Sequence, residues 1–302
     1  MKTLLLSGLL LCVSCSRQDE VAPVSALRPV ASFNGSLALE EVRRFLTVGD
    51  RVAGTPGAQH AADFIVQRLD STGIAVEQQA FREAVPGGSN TFVNVIATLP
   101  GKKPGWVILG AHYDTKSGIE PFAGANDSGS GVGVLLALAP ILKGSAADRP
   151  GVQLAFFDGE ECRVSYGPDD GLHGSRYLAA RLSESGRARE VRAFILLDMI
   201  GDRDLTVTIP RNGTPELISR VFAAATECGL RSKFALFRGS ILDDHQPFLD
   251  HGMPAVDLID FEYGSAPGRN DYWHTPSDTL DKLSAESLGT MGRVVLQVLS
   301  GL

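Results

Sequence analysis

The sequence predicts an α/β fold, a three-layer α/β/α sandwich built on a mixed, mostly parallel central sheet. Three observations carry this. Strongly apolar runs of strand length recur, in GWVILGAHYD, GVQLAFFDGEE, VRAFILLDMIGD and PAVDLID. Helical stretches lie between them, and strands alternating with helices imply parallel pairing through crossovers. An earlier pair of strand-like runs, VEQQAF and FVNVIATL, is separated by a Pro-Gly-Gly turn, which adds an antiparallel contribution at one side.

The elements follow in order. Residues 37–48 carry apolar positions at helical spacing, with Ser36 as the cap, and residues 57–71 form a second amphipathic helix ended by Gly73. The hairpin follows, then the buried strand that ends in HYD. SGSGVGVLLALAPIL starts as a small-residue helix and becomes strongly apolar. The strand GVQLAFF runs into acids, LHGSRYLAARL is a helix, and VRAFILLD is a third buried strand ending in an acid. LTVTIP reads as a short strand, TPELISRVFAAATEC as a helix, PAVDLID as a strand and SAESLGTMGRVVLQVLSGL as the last helix. Asn212-Gly213-Thr214 reads as a turn.

The 302 residues are 44% hydrophobic and 21% charged, an ordinary globular composition, long enough for one large core. We expect a single domain over 34–302, with no internal repeat. Formal net charge is -7 and no Lys/Arg run stands out, which argues against a nucleic-acid partner. The start differs. Met1-Lys2 precedes a short apolar run, Leu4 to Val13, too short to span a bilayer as a permanent helix. Residues 1–15 therefore read as a signal peptide of lipoprotein type with Cys15 as the lipid-bearing residue, and 16–33 as a tether. The expectation is an exported protein, periplasmic or anchored to the outer membrane, touching membrane only through Cys15. Cys162 and Cys228 remain in the domain, free to pair or to stay reduced. Cys12 and Cys15, the one pair at Cys-x-x-Cys spacing, fall in the expected signal peptide, so the domain over 34–302 has no thiolate zinc site of that kind.

The acids are not scattered. Predicted strands end in AHYDTK, FFDGEE, LLDMIGD and LIDFEYG, and GANDSGSG opens a helix. Sites in open α/β sheets form at the carboxyl ends of strands, so this placement gathers distant carboxylates. Gathered carboxylates repel, and need a cation or raised pKa values. Imidazoles in the same clusters, His112 and His274, make the donor set mixed oxygen and nitrogen, which suits zinc better than magnesium. Glu160 and Glu161, adjacent directly after FFDG, are hard to explain as a mere turn. His60 and His251 read as surface histidines, His173 as a helix cap, and His245 as orienting Asp243 or Asp244.

GAHYDTK, GANDSGSG, FFDGEE, LLDMIGD and YWHTPSDT, in this order, resemble the zinc aminopeptidase and glutaminyl cyclase superfamily from about residue 37 to the end. The resemblance implies a zinc-exopeptidase-like fold. It implies Zn2+ held by Asp127, Glu161 and His274, with Glu160 as the general base. In the two-metal aminopeptidases, His112 and Asp198 would add a second metal, with Asp127 bridging. The stretches CRVSYGPDDGLHGSRYLAARL and ILDDHQPFLDHGMPAVDLI are similar to the cyclase branch. That similarity implies that Asp243 forms a hydrogen-bond network with Glu160 and Asp198, and that Trp273 and Tyr166 wall the substrate pocket. Tyr166 stands where animal cyclases carry Trp, Leu242 where they carry Gln, and their disulfide has no counterpart.

The implied activity is that of a glutaminyl-peptide cyclotransferase with one zinc. It would convert the N-terminal Gln of peptides or proteins with a free N-terminus to pyroglutamate, releasing ammonia and acting as a monomer. The alternatives are an exported aminopeptidase with one or two metals and, more remotely, an inactive binding module on the same fold.

Overall fold

A computed structural model describes residues 32–145 and 149–302. The expected signal sequence, Cys15 and nearly all of the expected tether lie outside the described residues. Of the tether, residues 32 and 33 are described, and Phe33 is buried against Gly292.

The chain opens with helix α1 (Gly35–Phe45), continued by a 3-10 turn at Leu46–Val48, and α2 (Pro56–Asp70). Asn34, not Ser36, caps α1, its side chain accepting from the Ser36 N–H at 2.9 Å. An Asx side chain two residues back reaches the free N–H groups of the first turn, which Ser36, already inside the helix, cannot. Strands β1 (Ala75–Val85) and β2 (Gly88–Leu99) form the expected hairpin, with Gly87 at a φ of 85° in the turn. There follow β3 (Lys103–His112), α3 (Gly129–Gly144), β4 (Pro150–Phe157), α4 (His173–Glu184), β5 (Val191–Asp198), β6 (Val207–Ile209) and α5 (Pro215–Glu227). The chain ends with β7 (Phe234–Leu236), α6 (Gln246–Asp250), β8 (Ala255–Ile259) and α7 (Ala285–Ser300).

The main sheet has the order β1-β2-β4-β3-β5-β8. The β1–β2 and β2–β4 pairs are antiparallel, and β4, β3, β5 and β8 run parallel. Side chains alternate across it with the period of two that strands impose. Val107, Leu109, Ala111, Leu154, Phe156, Ile195 and Leu197 pack with α1, α2, α3, α5 and α7. Their neighbours Ile108, Ala155, Phe157, Phe194 and Leu196 pack with α4 and α6. This is the expected three-layer sandwich, and burial on both faces explains why these strands read as unbroken apolar runs.

The small residues that open α3 let it lie close to the sheet. A Cβ at Gly131 would fall 2.3 Å from the Leu197 carbonyl oxygen, and one at Gly133 would fall 2.4 Å from a Val42 methyl. Beyond β8, the Thr208 hydroxyl on β6 donates to the Ile259 carbonyl and accepts from the Phe261 N–H. Cys162 and Cys228 are both free thiols. Among the described residues no helix is long and apolar enough to cross a membrane.

Candidate metal centre and active site

The carboxyl ends of the parallel strands bring the predicted acids together. His112 ends β3, Glu160 and Glu161 follow β4, Asp198 ends β5, and Asp127 lies in the loop between β3 and α3. Their backbone is held by other buried groups. Asp278 accepts from the Asn126 and Asp127 N–H groups at 2.8 and 3.1 Å, and Tyr263 donates its hydroxyl to the same carboxylate. Asp114 accepts from the Glu160 and Glu161 N–H groups at 3.1 and 3.2 Å. The fully buried Arg51 guanidinium donates to the carbonyls of Tyr113, Ala123 and Gly124, tying the loop of Asp127 to the end of β3. Met199 and His274, at φ 49° and 53°, hold left-handed backbone beside the cluster, the kind of strain that collects at functional sites.

Two three-residue clusters share Asp127. In one, His274 Nε2 lies 3.3 Å from Asp127 Oδ2 and 3.0 Å from Glu161 Oε1. In the other, His112 Nε2 lies 3.1 Å from Asp127 Oδ1 and 3.4 Å from Asp198 Oδ1, while its Nδ1 faces Asp114. Donors about 3.3 Å apart match a tetrahedral ion with bonds of about 2.0–2.1 Å. Asp127 Oδ2, Glu161 Oε2 and Asp198 Oδ1 are buried and make no hydrogen bond. Buried carboxylate oxygens without donors are costly, and a cation held by this donor set would satisfy them. Zinc therefore fits the residues present.

The charges bear on one another. Burial alone would raise the Asp127 carboxyl, but the nearby imidazoles of His112 and His274 outweigh it and hold it well below the usual carboxylate range. Burial would lower His274, yet Asp127 and Glu161 push it up to about 10. Burial, with Asp127 nearby, raises Glu161.

Glu160 belongs to neither cluster. It is buried, and burial raises its carboxyl well above the usual range despite the nearby His112. Tyr166 donates its hydroxyl to Glu160 Oε1 at 2.9 Å. Both open, with Asp127, Glu161, Asp198, Asp243 and His274, into a cavity of about 350 Å³. Its far walls are Phe237, Ile241, Ile259, Phe261 and Trp273. The Trp273 ring stacks on His274 with centroids 4.1 Å apart and leans on Phe261 at 5.1 Å.

Some expectations are corrected. Asp243 lines the cavity but makes no hydrogen bond with Glu160 or Asp198. Its Oδ1 is taken by the Asp244 N–H at 2.6 Å and its Oδ2 has no partner. A tight turn at Asp243-Asp244 directs the carboxylate onto its own backbone. His245 orients neither Asp243 nor Asp244. Its Nε2 meets the Asn212 side-chain amide at 2.8 Å and its Nδ1 faces Asp257 at 4.0 Å. His173 does not cap α4 but is its first residue, and its ring pairs with Glu83 at 2.6 Å across the layer. Lys116 ends the run AHYDTK, where the letters assign it no role. Its Nζ lies 3.5 Å from Glu161 Oε2 and donates to the Cys162 carbonyl. Phe237 and Phe261 were also missed, since they stand in loops with no periodicity to mark them. Phe261 is itself the aromatic of LIDFEYG, whereas nothing in the letters marks Phe237.

Comparison with known proteins gives three kinds of match. The model of peptidase family M28 matches residues 94–299. A glutaminyl-peptide cyclotransferase-like protein of Bos taurus is 31% identical over 274 residues, spanning 81% of this chain and 70% of that one. The crystal structure of a glutaminyl cyclase from an Acidobacteriales bacterium superposes with a TM-score of 0.85 at 35% identity, covering 91% of this chain and 96% of that one. A zinc-dependent exopeptidase from Parabacteroides distasonis superposes with a TM-score of 0.80 at 28% identity, covering 89% and 99%.

Proposed function

The chain belongs to peptidase family M28, and on that premise we propose that it is a zinc-dependent glutaminyl-peptide cyclotransferase. It turns the N-terminal Gln of peptides or proteins with a free N-terminus into pyroglutamate and ammonia. The observation that carries the reading is one juxtaposition. Glu160, a carboxyl outside both clusters, stands beside Asp127, Glu161 and His274 in an apolar-walled cavity of about 350 Å³. Relatives named as glutaminyl cyclases support it at 31% and 35% identity.

Asp127, Glu161 and His274 would hold one zinc. When bound there, zinc supplies a Lewis acid toward the γ-carboxamide oxygen. Trp273, Phe261 and Ile241 pack the aliphatic part of the Gln side chain and exclude water from it. Glu160 accepts a proton from the attacking α-amine as the nitrogen bonds to the carbonyl carbon of the side-chain carboxamide. It returns that proton to the departing amide nitrogen, which leaves as ammonia. Buried as it is, Glu160 holds a proton more readily than a solvated carboxylate, which suits an acceptor that must also donate. Export, periplasmic or as a lipoprotein anchored at Cys15, is part of the same reading and rests on the apolar run Leu4 to Val13.

The test is direct. Purified domain with a Gln-initiated peptide should release ammonia with a mass loss of one ammonia and no chain shortening. Release of a free N-terminal amino acid instead would overturn the reading. The second reading, a two-metal aminopeptidase, has one specific observation in its favour, the His112–Asp127–Asp198 cluster. There Glu160 would deprotonate water. Two tightly bound zinc ions per chain would favour it.

A further inference from the structure

We infer that Tyr166 is a positioning residue for Glu160, its hydroxyl fixing which carboxyl oxygen exchanges the substrate proton. This rests on the reading of Glu160 as the proton carrier and goes beyond a pocket wall.

The geometry has three parts. The first is the bond itself, from the Tyr166 hydroxyl to Glu160 Oε1 at 2.9 Å. A phenol keeps its proton at neutral pH and donates it here to Oε1. Among the described residues the hydrogen bond to the Glu160 carboxylate falls on Oε1, which leaves Oε2 for the moving proton.

The second part is how the ring is held. Tyr166 sits on a loop over residues 162–171 whose turn is built around one side chain. The Asp170 carboxylate accepts from the N–H groups of Arg163, Val164 and Ser165 at 2.7, 2.8 and 3.0 Å. Arg176 donates to the Gly167 carbonyl at 2.6 Å, and Lys116 donates to the Cys162 carbonyl. A loop with this many fixed backbone groups delivers a side chain to one place rather than sampling several.

The third part is the floor. Gly171 has a φ of 79°, and a Cβ there would lie 2.5 Å from the Tyr166 ring. The ring rests on bare backbone, and the same Cβ would be 3.0 Å from the Glu160 carbonyl oxygen. Ring, glycine and Glu160 thus form one packed unit. An apolar wall alone would not need a hydroxyl aimed at a carboxylate.

The experiment uses the whole enzyme with a Gln-initiated peptide. Tyr166→Phe keeps the ring and deletes only the hydroxyl, so folding is not at issue. It should lower kcat about tenfold and leave KM within about twofold. Glu160→Asp withdraws the carboxyl by one methylene, out of reach of the hydroxyl. In that background Tyr166→Phe should change kcat by less than about twofold, because the pair is already uncoupled. Unchanged kcat in Tyr166→Phe, an effect on KM alone, or the same loss in both backgrounds would overturn the inference. A wild-type enzyme that releases no ammonia sinks the cyclase reading instead. The same variants, assayed on whichever reaction it does perform, still decide the role of the hydroxyl.

Discussion

Glu160 and its neighbours divide by what they must keep. Glu160→Gln preserves shape and removes the proton acceptor, so turnover should fall by at least about 100-fold while bound zinc, measured by metal analysis, is unchanged. Asp278 has the opposite profile. It touches no substrate but holds the Asn126 and Asp127 backbone and the Tyr263 hydroxyl. Asp278→Ala should weaken zinc binding roughly 10–100-fold in chelator competition, since supports of ligands matter nearly as much as ligands. His245 is a different matter, one of stability. Burial lowers its pKa from 6.5 to about 4. Below 6.5 the unfolded chain takes a proton that the folded chain refuses, so this contribution is complete above that pH and is lost as pH falls toward about 4. Unfolding titrations should show wild type losing about 3 kcal/mol more than His245→Gln between pH 7 and pH 4. That Asp127, Glu161 and His274 come together was legible because five motifs in order resemble one superfamily, although Asn126-Asp127-Ser128 alone also reads as a helix start. The direction of the Asp243 carboxylate was not, because a backbone N–H one residue on decides it, and backbone geometry is invisible in letters.

Among the elements, α3 is where sequence and packing meet most closely. Its opening SGSGVG reads as a weak helix by propensity, yet the structure needs those glycines because β5 and α1 lie against them. Gly131→Ala should therefore destabilise by roughly 1–3 kcal/mol in denaturant unfolding, although alanine favours an isolated helix. The long apolar strands and the amphipathic helices were legible because their periods of two and 3.6 run over many residues. The three-residue β7 and five-residue α6 were not, since neither runs through two full periods. The loop over 162–171 was readable as an unusual spacing, but its rigidity depends on Asp170 accepting from three amides, which only the folded turn reveals.

The molecule as a whole concentrates uncompensated acids at one end of its parallel strands. Asp127, Glu161, Asp198, Asp243, Asp244 and Asp257 all carry buried oxygens without hydrogen bonds. A cation that binds only the folded state stabilises it by mass action. Adding zinc to about a hundredfold over its dissociation constant should raise the melting temperature by roughly 5–10 °C over the chelated protein. No change on chelation would count against a metal centre here. The class of fold was legible because apolar strands alternate with helices throughout, whereas the strand order was not, since pairing is chosen by crossovers that leave no mark in the letters.

The position of β1 has a consequence of its own. It ends the sheet, so one side of an eleven-residue strand has no partner within the main sheet. Such an edge invites a neighbouring molecule to continue the ladder. The exposed positions of β1 are Ala75, Glu77, Gln78, Ala80, Arg82 and Ala84, with no large apolar group among them. Any chain that docked there would have to strip water from charges of both signs and would find only methyl groups to cover. Crowded copies of this protein thus meet at a border that offers little to hold on to.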